Sequence, residues 1–114
     1  MRKISLMSYN VKTIPAFERD LKRFIRKYPS LKTEYYELVQ QLKVQPEQGT
    51  PIGHHCYKIR LAIASKGTGK SGGARLITYV KVVETTVYLL TIFDKAEKEN
   101  IPDKELKQLL KLLP

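Results

Sequence analysis

Two basic residues at alternate positions of an extended segment are the first in this sequence with the means to do chemistry. Lys58 and Arg60 are two apart, so on a strand both point to one face. Arg75 opens the next β-branched, apolar run. If the glycine-rich segment between them closes an antiparallel pair, Arg75 reaches the same surface. Three cations on one sheet face make a concentrated phosphate site, with Lys66 and Lys70 expected above it in the connecting loop. Such a site binds RNA phosphates passively. It also stabilises the extra negative charge that a phosphate gains in a cleavage transition state. Spacing alone does not separate these two uses.

Other groupings imitate better-known chemistry. Ala64 to Ser71 fits a loosened Walker A pattern, and Gly67, Gly69 and Gly72 fit G-x-G-x-x-G. Either phosphate grip needs a helix N-terminus directly behind the glycines. Behind them here stands Ala74-Arg75-Leu76-Ile77-Thr78-Tyr79-Val80, a strand by local preference. A kinase glycine loop does join two strands, but 114 residues are too few for that fold. His54-His55-Cys56 resembles a metal cluster. Neighbours on a strand point to opposite faces, however, and no second ligand pair exists in the chain. The expectation is no metal and no cofactor, with the histidines exposed at a loop end.

The elements that must position the cations can be read from periodicity. Ser8 to Thr13 alternates and reads as a short strand. Pro15 suits a helix start. Phe17, Leu21, Phe24, Ile25 and Tyr28 then form one apolar stripe, opposite Arg19, Lys22, Arg23, Arg26 and Lys27. Pro29-Ser30 breaks the helix, Ser30 is the expected N-cap of the next, and Leu31, Tyr35, Leu38, Val39 and Leu42 repeat the stripe. This is a helical hairpin whose two stripes must pack on a sheet. Pro46 to Gly53 reads as a loop. Tyr57 to Ala64, Arg75 to Val83 and Val87 to Phe93 read as three antiparallel strands, the last of them central and joined to the second by a turn at Glu84-Thr85-Thr86. Pro102 to Leu113 closes the chain as a helix. The fold class is α+β: an N-terminal strand, a helical hairpin, an antiparallel sheet and a C-terminal helix in a single domain spanning residues 1–114.

Charge singles out the same region. The chain carries 21 Lys+Arg against 11 Asp+Glu, a net charge of +10. Residues 1–30 and 48–83 each contribute +6, while residues 31–47 and 84–114 each contribute −1. The second basic block (Lys58, Arg60, Lys66, Lys70, Arg75 and Lys81) contains no carboxylate. Polyanions are therefore the expected partners, nucleic acid before anionic membrane. The basic first helix supplies further RNA contacts through Lys22, Arg23 and Arg26, and Lys81 extends the second block. One cysteine, Cys56, excludes an intramolecular disulfide framework and fits a reducing compartment, the cytoplasm. No apolar run is long enough to span a membrane.

Gly69-Lys70-Ser71-Gly72-Gly73-Ala74-Arg75-Leu76-Ile77 resembles the G-K-x-G-G-A-R-[VL]-I signature of HigB-like toxins in the RelE/ParE superfamily. Lys58-Ile59-Arg60 is similar to that family's basic-x-basic strand. The segment from Leu89 to Glu99 is similar to its L-L-x-I-Y-x-K-x-E-x-[ED] pattern, and Thr13 to Phe17 to its opening T-P-x-F. The likeness runs from about Tyr9 to Leu113, leaving residues 1–7 as an N-terminal extension.

The resemblance implies a RelE-like microbial ribonuclease-type fold and the toxin of a type II toxin–antitoxin pair. It further implies a metal-independent endoribonuclease that cuts mRNA in the ribosomal A site through attack of the ribose 2′-hydroxyl. By position, Lys58 matches a base, Arg60 and Arg75 transition-state stabilisers, and Lys95 an acid or phosphate contact. The implied partners are ribosome, mRNA and a cognate antitoxin of helix-turn-helix type. Where RelE has an arginine and a tyrosine near the last strand, this sequence has Ala96 and Pro102; Phe93 stands where HigB-like members often have tyrosine. Two alternatives use the same surface: a non-catalytic RNA- or ribosome-binding module, and a ParE-like gyrase poison.

Overall fold

The computed structural model describes residues 8–67 and 72–114; residues 1–7 and Lys70 lie outside the described residues. Five strands form one mixed sheet: β1 (Asn10–Thr13), β2 (Thr50–Gly53), β3 (Cys56–Leu61), β4 (Ala74–Lys81) and β5 (Thr86–Asp94), in the order β1-β5-β4-β3-β2. The α-helices described are α1 (Pro15–Lys27), α2 (Leu31–Val44) and α3 (Asp103–Leu110). β3, β4 and β5 are antiparallel neighbours, and β1 joins β5 in parallel.

Helix α1 starts where Pro15 occupies the first turn, a position whose missing N–H costs no hydrogen bond. Its stripe buries Phe17, Leu21 and Phe24, each contributing roughly 1.5–3 kcal/mol. The stripe lies against β5, which is buried along its whole length and has β1 on one side and β4 on the other. The opposite face of the sheet is covered more thinly. Among the described residues it is covered by short α3, anchored by buried Leu106, with Leu110 and Leu113 beside Tyr79 and Tyr88, and by the segment that precedes α3, whose Lys98 and Glu99 rest on Phe93 and Arg75.

Two local expectations change and one holds. Pro46 to Gly53 is not all loop, because Thr50–Gly53 pairs with β3; Pro51 is tolerated there because β2 is an edge strand. His54 and His55 are exposed at a loop end, as expected; they form the turn between β2 and β3, both with left-handed backbones at φ 55° and 62°. Ser30 does not cap its own helix. Its Oγ accepts from the Ser65 N–H at 2.9 Å, and the Glu34 carboxylate accepts from the Ala64 N–H at 2.7 Å. The start of α2 thus caps the 3-10 turn Ala64–Lys66 that leaves the sheet after β3.

Candidate functional site

Register brings the cations together. Arg60 lies directly opposite Arg75, and Lys58 opposite Ile77, so Lys58, Arg60 and Arg75 share one sheet face. Like charges directly opposite each other destabilise a ladder, so the pair needs an anion nearby. Gly73 sets how closely the strands approach: a Cβ there would lie 2.1 Å from the Leu61 carbonyl oxygen. Phe93 lies opposite Arg75 on β5, and Lys98 rests over its ring at 4.8 Å.

The anion is Glu99, in the segment between β5 and α3. Its Oε2 accepts from Arg75 Nε at 3.1 Å and from Lys58 Nζ at 3.3 Å. Its Oε1 accepts from Arg75 Nη2 at 3.4 Å and lies 3.6 Å from Lys95 Nζ. Arg75 is only 1% exposed, and its Nη1 donates to the Ala74 carbonyl at 3.1 Å. Lys58 also donates to the Glu99 carbonyl at 3.4 Å and to Asn100 Oδ1 at 2.6 Å, so its three N–H groups have three acceptors. The Arg75 guanidinium, with Lys58 beside it, holds the Glu99 carboxyl down to about 2. Three of the four candidate catalytic residues therefore converge on one carboxylate. The fourth, Arg60, is exposed and makes no ion pair among the described residues.

Lys66 is placed differently from the expectation. Its ammonium donates to Asp94 Oδ1 and to the Gly73 carbonyl, and rests 5.8 Å from the centre of the Tyr28 ring. Asp94 pairs with Ala74 in the ladder, on the face that α1 covers, so Lys66 points away from Lys58 and Arg75. Burial alone would raise the Asp94 pKa, but the hydrogen bonds from Lys66 and the Ala96 N–H hold it below the ordinary value. Lys81 pairs with Glu84 at 3.1 Å, and Arg23 with Asp20 at 3.2 Å. Lys22 and Arg26 are exposed on α1.

Among the described residues, no group of three or more His, Cys, Asp and Glu is placed to hold a metal ion. His54 Nε2 lies 3.1 Å from Asp103 Oδ1, tying the β2–β3 turn to α3. The Cys56 thiol is buried, and burial pushes it up to about 12. A cavity of about 710 Å³ between α2 and β3 is lined by Glu34 and Glu37 on one side and by Lys58 and Arg60 on the other, so it opens beside the cationic cluster.

A family model described as the RelE toxin of the RelE/RelB toxin–antitoxin system matches residues 17–113. The chain belongs to this toxin family. Solved structures agree in fold. An arginine-to-alanine double variant of E. coli toxin RelE in the free state superposes with a TM-score of 0.59 at 18% identity, covering 95% of this chain and 100% of that one. The RelBE2 toxin–antitoxin complex from Mycobacterium tuberculosis gives 0.58 at 18% identity, covering 82% and 99%. The family makes this chain the toxin of a toxin–antitoxin system. No helix among the described residues is long and apolar enough to cross a membrane.

Glu99 is the site residue that sequence reasoning passed over. It stands 24 residues after Arg75 and 41 after Lys58, beyond the reach of any local pattern. One signal was present: Glu99 is the last acidic position of the K-x-E-x-[ED] segment that begins at Lys95.

Proposed function

We propose that this toxin is a ribosome-dependent, metal-independent endoribonuclease that cleaves mRNA. The observation that carries this is the convergence of Arg75, Lys58 and Lys95 on one anion, with Arg60 alongside, in a chain of the RelE toxin family. An anion held by a guanidinium fork and two ammonium groups models the phosphate of an RNA backbone.

In the reaction the 2′-oxygen forms a bond to phosphorus, the phosphorus–5′-oxygen bond breaks, and a cyclic phosphate remains. Arg75 and Arg60 neutralise the non-bridging oxygens as charge builds on them. Lys58 is assigned the proton of the 2′-hydroxyl. It takes that proton only as the neutral amine, so its donors must first be released from Glu99 and Asn100. Lys95, 39% exposed at the rim, is assigned the proton given to the departing 5′-oxygen. Arg75, Arg60 and Lys95 supply the charge stabilisation that a divalent ion gives other nucleases. Alignment of the 2′-oxygen, costly for so small a chain, falls to the ribosome. The HigB-like subgroup rests on the signature from Gly69 to Ile77.

The test is induced expression with mapping of mRNA 5′ ends. Codon-phased cuts that disappear in an Arg75→Lys strain, and that persist in vitro with chelator-treated toxin, support the reading. Growth arrest with intact mRNA refutes it and favours a gyrase target. Ribosome binding without cuts favours a non-catalytic module.

A further inference from the structure

The proposed cleavage leaves the carboxylate on which Arg75, Lys58 and Lys95 converge without a task. We propose that Glu99 occupies the scissile-phosphate position in the resting toxin, and that RNA enters by displacing it; this rests on reading the Arg75 face as the phosphate site.

Four observations support the exchange. Glu99 presents two oxygens to Arg75 Nε and Nη2, the bidentate fork that arginine also offers to phosphate. Lys58 and Lys95 divide between the same two oxygens. A phosphate reaching that edge of the guanidinium meets a carboxylate already within hydrogen-bond range, and two anions repel strongly at such separations. Exchanging a carboxylate for a phosphodiester leaves the net charge of the cluster unchanged, so Arg75, directly opposite Arg60, keeps a counter-ion throughout.

Glu99 is also able to leave. It lies between β5 and α3, outside any strand or helix, and its side chain is 37% exposed. Asp94 is the instructive contrast. That carboxylate holds Lys66 on the other face, accepts a second hydrogen bond from the Ala96 N–H at 2.9 Å, and is 11% exposed. Asp94 is a fixed strut, while Glu99 is a tethered competitor.

A tethered competitor acts at a high effective concentration. Free RNA meets it with the contacts of one phosphate. RNA already held on the ribosome meets it with its alignment settled. Glu99 thereby sets a threshold that favours ribosome-bound over free RNA.

The probe is a single-stranded DNA octamer, which carries the phosphates but lacks the attacking 2′-hydroxyl. Glu99→Gln keeps the shape and removes the charge. If the open state is populated at roughly a tenth or less, the variant binds the octamer about tenfold more tightly or better. A wild-type measurement guards against a folding defect in the variant. The Glu99 carboxyl carbon resonance moves to that of a solvated glutamate as octamer is added, while the Arg75 Nε–H remains hydrogen-bonded. Octamer binding with an unmoved Glu99 resonance, or equal or weaker binding by a folded Glu99→Gln variant, overturns the proposal. The two readings separate cleanly. A toxin that shows the exchange but cuts no mRNA keeps this inference and loses the nuclease reading. A toxin that cuts mRNA with Glu99 unmoved keeps the nuclease reading and loses this one.

Discussion

Arg75→Lys is the substitution that bears most directly on the site, because it keeps the charge and removes the geometry. In the resting protein Arg75 donates Nε and Nη2 to Glu99 at 3.1 and 3.4 Å, and Nη1 to the Ala74 carbonyl at 3.1 Å. A lysine offers one point charge in place of that fork. On a phosphate in the transition state, the loss resembles removal of one oxyanion donor, a fall of about 10²–10³ in rate, or roughly 3–4 kcal/mol. The cost to folding is smaller. Arg75 is buried, but Glu99 is more than a third exposed and keeps Lys58 and Lys95, so no charge is stranded. Discounted for that exposure, the destabilisation is about 2 kcal/mol, or a drop in Tm of roughly 8 °C for a domain of this size.

The assay is single-turnover cleavage on programmed ribosomes at 25 °C, alongside calorimetry. Lys66→Met is the control. It breaks a largely buried ion pair with Asp94 on the opposite face, so it lowers Tm at least as much while leaving turnover of the folded fraction near wild type. An Arg75→Lys variant that is folded and cuts within about threefold of wild type refutes the reasoning, since the transition-state stabilisation it is expected to lose is far larger. So does a Lys66→Met variant that loses turnover in proportion to Arg75→Lys, because the loop lysine would then belong to the reacting site.

The same geometry predicts three further outcomes. Glu99 titrates near 2 when folded against 4.5 ordinarily, so its stabilisation is present above about pH 4.5 and is lost as pH falls toward 2; thermal melts should show that loss, with a shallower slope in Glu99→Gln. Gly73→Ala drives a methyl carbon to 2.1 Å from the Leu61 carbonyl, a backbone clash expected to cost about 3 kcal/mol or more in denaturant titration. Lys22→Glu combined with Arg26→Glu weakens ribosome binding and lowers its salt dependence, each lost phosphate contact reducing the slope by about one, while cleavage per bound ribosome is unchanged.

The large elements were legible because each has one dominant cause. Helix α1 arises from Pro15 and the Phe17-Leu21-Phe24 stripe, and β5 from an apolar run too long to be exposed. The placement of Lys58, Arg60 and Arg75 on one face needed only period-two alternation and one hairpin. The features that escaped reading depended on partners distant in sequence. Thr50–Gly53 looks like a loop from its own residues and becomes a strand because β3 supplies a ladder. Ser30 looks like a cap for the helix it begins, but the Ser65 and Ala64 N–H groups compete for Ser30 and Glu34. Lys66 looks like a phosphate contact until Asp94 appears beside it.

The carboxylate-free block from residue 48 to 83 shows how folding transforms a one-dimensional charge pattern. Read along the chain, six cations are uncompensated. In the fold, the acids come from the next segment: Glu99 serves Lys58 and Arg75, Asp94 serves Lys66, and Glu84 serves Lys81. Among the described residues of the block, Arg60 is left without a carboxylate. It is exposed, and it stands directly opposite buried Arg75. On the proposed reading, α1 and Arg60 supply the long-range field that steers RNA in, while Glu99 neutralises the Arg75 guanidinium until a phosphate replaces it. Repulsion between the directly opposed Arg60 and Arg75 favours an anion at that position whichever one supplies it. The proposed exchange therefore swaps one anion for another and does not leave the position empty.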